Sequence, residues 1–191
     1  MRVEVFGGVE VPADECGEEW HQTVTFPPFV NGYAPAYECL FGGVDAVGFD
    51  PVAPERGLPD DASDGVTDRY ADTEAPFGES YVTLAELRSA GWGSEADGGP
   101  YYWKVDEGGK YRRFQRTDEL SEDELARLDA GERVTWMDWD GRYDLVRAPF
   151  TRKMALQRGG WWWVVTDLLE RLVTHDVYDP EEVRAVGWCA E

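Results

Sequence analysis

Polar and apolar positions alternate from the first residues onward, with Val3, Val5 and Val9 on one face, which predicts a strand over residues 1–11. Residues 23–49 are aromatic and interrupted by Pro27, Pro28 and Pro35, so only a short helix around Tyr37 to Gly42 is expected there. Residues 50–80 carry four prolines, three glycines and many acids, and read as a long loop. Thr83 followed by Glu86, and Ser121 followed by Glu124, are capping boxes that start two short helices stopped at Gly91 and Gly131. Between and beyond them, "YYWKVDEGGKYRRFQRT" reads as two strands about Gly108-Gly109, and "RVTWMDWDGRYDLVR" as two more about Asp140-Gly141. The chain ends in an amphipathic helix from Trp161, a turn at Asp179-Pro180, and "VRAVGW", a short helix or a buried terminal strand. Strands and helices are segregated, which predicts one α+β domain over 1–191, with an antiparallel sheet and two to four helices.

The last long helix opens with three consecutive tryptophans. At about 100° per residue, Trp161, Val165, Leu168, Leu169 and Leu172 form its apolar centre, with Trp162, Val164 and Val173 at the margins. Trp163 falls on the far side, among Asp167, Glu170 and Thr174. There it is either covered by another part of the fold or free to stack on a ligand or partner.

The charge sharpens this picture. Thirty-nine acids against 18 bases give a formal −21, a surface that repels nucleic-acid phosphates and anionic membranes. Two readings of the acidity compete. Dense carboxylates keep a protein hydrated in a salt-loaded cytoplasm, and the same array can imitate a phosphate backbone toward a basic partner. The acids are spread rather than blocked, and Lys is confined to positions 104, 110 and 153, which favours the first. No run of about 18 apolar residues and no signal-peptide pattern is present, so a cytoplasmic location is expected. Cys16, Cys39 and Cys189 form no CxxC pair and read as structural thiols. A Cys2His zinc site from Cys16, His21 and Cys39 would have no standard spacing.

The hydrolase elbow GxSxG, the phosphate-cradling GxxxxGK[ST] and the dinucleotide GxGxxG are all absent. Close acid pairs such as Asp60 with Asp61 and Asp138 with Asp140 read first as solvated surface, and His175 as a charge at a helix end. Arg112, Arg113 and Arg116 interleave with the strand aromatics from Tyr101 to Tyr143. Rings and guanidinium groups together either hold a nucleotide-like anion or form an internal ladder with nearby acids.

The order "YECLFGGV", "PERGLPDDAS", "YVTLAELRSAGW", a Trp-bearing helix and "VRAVGW" resembles a family of accessory proteins encoded by tailed phages and prophages. What this resemblance implies is a virus-type accessory role acting in the host cytoplasm. In place of the His-Ser stretch that precedes the TLAEL helix in that family, this chain has Gly78, Glu79 and Ser80. The function expected is therefore non-catalytic binding and sequestration of a small anionic or nucleotide-like ligand, without a cofactor or metal, through Arg56, Arg112, Arg113 and Trp163. The alternatives are an acidic inhibitor of a host protein and a small metal-dependent hydrolase of a nucleotide signal.

Overall fold

The computed structural model describes residues 4–13, 19–26, 29–30, 34–43, 48–97, 100–109, 111–114, 116–158, 161–176 and 178–190. In chain order its elements are β1 (Glu4–Pro12), β2 (Trp20–Thr25), β3 (Phe29–Val30), α1 (Ala34–Phe41), α2 (Asp64–Ala71), β4 (Phe77–Thr83), α3 (Leu84–Ser89), β5 (Tyr101–Val105), β6 (Tyr111–Arg113), α4 (Glu122–Asp129), β7 (Val134–Asp138), β8 (Gly141–Ala148), α5 (Arg152–Arg158), α6 (Trp161–Asp176) and β9 (Arg184–Ala190).

The α+β class with antiparallel pairing stands, and the strands divide between two sheets rather than one. The larger sheet has the order β2-β1-β9-β4, with β3 also paired to β1, and the smaller has the order β6-β5-β8-β7. The C-terminal segment is the strand of its two expected forms. Every residue of β9 is buried, between β1 and β4, which is why it reads, after Arg184, as an apolar run instead of an alternating one. Gly7 lies opposite Gly187 with φ 148°, and a Cβ there would meet the Val186 carbonyl oxygen at 2.0 Å, so the closest approach of the two central strands requires glycine.

Residues 50–80 are more ordered than a loop, for they contain α2 and the first half of β4. The helix escapes a periodicity search because only Val66 and Tyr70 anchor it. One turn apart, they pack on Trp188, with the Tyr70 and Trp188 rings 5.5 Å apart and nearly perpendicular. With α2 counted, the described residues hold six α-helices. Both expected capping boxes form, at Thr83 and at Ser121.

The main core lies between the larger sheet, the inner face of the smaller one, and α1, α5 and α6. The stripe of α6 keeps Val165 and Leu169 at its centre, as expected, and leans toward the margin that carries Trp162. Trp162 is 1 % exposed and joins Val165 and Leu169 in the core, whereas Val164 is 50 % exposed. The cause is an aromatic box: Phe26, Tyr37 and Phe41 surround the Trp162 ring at 5.8, 6.1 and 5.6 Å, all edge to face. A smaller core, with Leu128, Val134 and Leu145, fills the space between α4 and the smaller sheet. At the tip of the β7–β8 hairpin Trp139 is 92 % exposed. No helix among the described residues is long and apolar enough to cross a membrane.

Removing the ring that fills the aromatic box creates a large cavity, so Trp162→Ala should cost about 3–5 kcal/mol in urea unfolding. Val164→Ala, two positions on, should cost about 0.5 kcal/mol or less.

Candidate functional site: a polar cleft where α2 begins

Glu10 and Arg184 sit directly opposite each other in the β1–β9 pairing, and both are buried. Neither charge is left unmatched. Arg184 Nε donates to Glu10 Oε2 at 2.8 Å, and the Ser63 amide donates to Glu10 Oε1 at 2.8 Å. The remaining guanidinium nitrogens reach the segment before α2: Nη1 donates to Asp61 Oδ1 at 2.8 Å and Nη2 to the Asp61 carbonyl at 3.2 Å. Trp20 Nε1 donates to the second Asp61 oxygen at 2.8 Å, while its ring lies 3.6 Å from the Arg184 guanidinium carbon. One arginine thus ties β1, β2, β9 and the start of α2 together. Burial alone would raise the Asp61 pKa, but the Arg184 hydrogen bonds and charge, together with Trp20, outweigh it and hold the carboxyl below its ordinary 3.8.

Against this cluster a cleft of about 550 Å³ opens between β2 and the N-terminus of α2. Trp20, His21 and Gln22 form one wall, and Asp61, Ser63 and Asp64 the other. Two polar atoms of those residues are buried and have no hydrogen-bond partner among the described residues, Ser63 Oγ and Gln22 Nε2. Ser63 is 7 % exposed and occupies the N-cap position with extended backbone, φ −61° and ψ 154°, yet its side chain makes no capping bond. Thr83 and Ser121, in the same backbone geometry, both cap. The hydroxyl of Ser63 is therefore uncommitted, and the amides of Asp64 and Gly65 in the first turn have no acceptor within the helix. Gln22 lies in space left by two glycines. A Cβ on Gly8 would stand 2.1 Å from its Nε2, and one on Gly65 would stand 2.7 Å from its Oε1.

No family model, curated protein or solved structure matches this chain.

Of the residues singled out in the sequence, Arg56 is on a different part of the fold from Arg112 and Arg113. Arg56 is the nearest in kind to the cleft: it lies 4.5 Å from the Tyr81 ring, which Arg184 approaches at 5.6 Å, and its Nη2 pairs with Glu86 Oε1 at 2.9 Å. Arg112 and Arg113 are on β6, in the other sheet. Arg112 faces Asp140 at 3.8 Å, and the Arg113 guanidinium covers Tyr101 at 4.5 Å. They follow the internal-ladder pattern, as does Arg116, which pairs with Asp138 at 2.6 Å and lies 5.6 Å from Trp136. The side chain of Trp163 lies outside the described residues.

Of the acid pairs, Asp60 is exposed, while Asp61, Asp138 and Asp140 are engaged. Asp138 accepts from Lys104, the Trp139 amide and Arg116, and the Lys104 hydrogen bond leads in pushing its pKa down to about 2. The thiols of Cys39 and Cys189 are buried, and burial pushes each up to about 12, as structural thiols require. Cys16 lies outside the described residues, and among those described no group of three or more His, Cys, Asp and Glu is placed to hold a metal ion.

Sequence reasoning missed Glu10, Trp20, Gln22, Ser63 and Arg184 as a site. A faint signal exists: Glu10 stands between Val9 and Val11, and Arg184 between Val183 and Ala185, each a lone charge inside an apolar run.

Because the folded-state pKa of Asp61 is depressed, its contribution to stability is full above 3.8 and is lost as pH falls through the lowered value. Thermal unfolding followed from neutral to acid pH should show a smaller acid-induced loss in Asp61→Asn than in the wild-type chain.

Proposed function

We propose that this protein binds a small nucleotide-like molecule in the cleft between β2 and α2 and sequesters it without altering it. The observation that carries this reading is the pair of buried, unpartnered polar atoms, Ser63 Oγ and Gln22 Nε2, in the walls of one cleft. An unmet buried donor costs about 1–3 kcal/mol, and a ligand that supplies the missing partner recovers it. The volume lies within the range of small-molecule sites, and Trp20 contributes a half-buried ring whose N–H is used by Asp61 and one face by the Arg184 guanidinium, leaving its other face for stacking.

Rigid support argues for binding geometry held in advance. Asp61, Ser63 and Trp20 are fixed by the buried Glu10–Arg184 pair, so little ordering cost falls on the ligand. Sequestration of a nucleotide-derived signal is the task that suits such a cleft in a virus-type accessory protein, the role that the sequence resemblance implies.

Native mass spectrometry of the protein with a panel of linear and cyclic nucleotides and nucleosides tests this. The expected result is an intact ligand on the wild-type chain, held at least about tenfold less tightly by Ser63→Val, which leaves the melting temperature within a few degrees. A ligand held equally by the variant would move the site elsewhere. A ligand recovered as breakdown products would replace sequestration with catalysis.

A further inference from the structure

Resting on the reading that the cleft is a nucleotide-class site, we infer that it receives the uncharged heterocyclic base of its ligand and leaves any phosphate outside. The charges in the walls decide this. Arg184 is committed to Glu10 and Asp61, two carboxylates for one guanidinium, and the cleft is further lined by Glu19 and Asp64. Among the described residues Glu19 and Asp64 pair with no cationic side chain, and the titratable base that lines the cleft is the exposed His21.

A helix N-terminus ordinarily attracts anions, and here that pull is outweighed. The macrodipole is equivalent to about half a positive charge. At this helix it already faces Glu10, which takes the Ser63 amide, and carries Asp64 in its own first turn. A polyphosphate entering would meet at least three carboxylates in a chain of net charge −21. A neutral acceptor meets none of that repulsion.

The groups left over match the edge of a base. Ser63 Oγ and the first amides of α2 can donate to ring nitrogens or carbonyl oxygens, and Asp64 and Glu19 can accept from ring or exocyclic N–H groups. Trp20, with its edge N–H on Asp61 and the Arg184 guanidinium against its ring, offers the surface that remains to a flat heterocycle.

Isothermal titration calorimetry with guanosine, adenosine, cytidine and uridine, each beside its 5′-triphosphate, tests the assignment on the full chain. For every base that binds, the nucleoside should bind at least about tenfold more tightly than the triphosphate at low salt. Molar salt or Asp64→Asn, an exposed position, should narrow that gap by screening or removing charge. A triphosphate that binds as tightly as its nucleoside, with Ser63→Val weakening both, would overturn the base assignment and leave the cleft as the site. If none of the eight compounds binds, both readings fall.

Discussion

Glu10 and Arg184 come from opposite ends of the chain, face each other across the two central strands, and are both removed from water. Stripping water from a carboxylate and a guanidinium costs several kcal/mol each, and the attraction between them offsets this only when the remaining hydrogen-bonding groups are also satisfied. Here the satisfaction comes from the Ser63 amide and from Asp61, so the segment before α2 is drawn onto the sheet as a consequence of burying the pair. Trp20 follows, hydrogen-bonded to Asp61 and laid against the guanidinium. The cleft exists because these constraints fix both its walls.

Elsewhere the acidity is managed by local pairing. The smaller sheet spends Lys104, Arg112, Arg113 and Arg116 on Asp138, Asp140 and the rings beside them, a cross-strand network on partly exposed faces. Near the cleft the balance differs, since one buried arginine serves two carboxylates and Glu19 and Asp64 line the cleft with no ion pair among the described residues. That contrast separates a structural use of charge from a site that selects its ligand by charge.

Much of the fold was legible in the sequence and most of the site was not. The capping boxes at Thr83 and Ser121 and the Asp140-Gly141 hairpin are local signals, and local signals survive into the structure. α2 was hidden because two anchoring residues make too faint a stripe, and the burial of Trp162 at the margin of the α6 stripe was set by Phe26, just after β2, and by rings of α1, which no helical wheel contains. The cleft depends on Glu10, Asp61, Ser63 and Arg184 meeting through hydrogen bonds that span 53 to 174 residues of sequence, which topology alone creates. Aromatic and arginine content pointed to stacked rings and guanidinium groups, and they occur, yet those on β5 and β6 are turned to each other.

The claim that the buried pair organises the cleft is tested most directly by amide hydrogen exchange on Glu10→Ala, with its urea unfolding measured alongside. Loss of one partner of a buried pair should cost about 3–5 kcal/mol. Exchange at residues 61–67 should rise ahead of exchange in α6, as the start of α2 leaves the sheet. A cost under about 1 kcal/mol, with exchange at 61–67 unchanged, would show that the cleft stands without the pair and contradict the account.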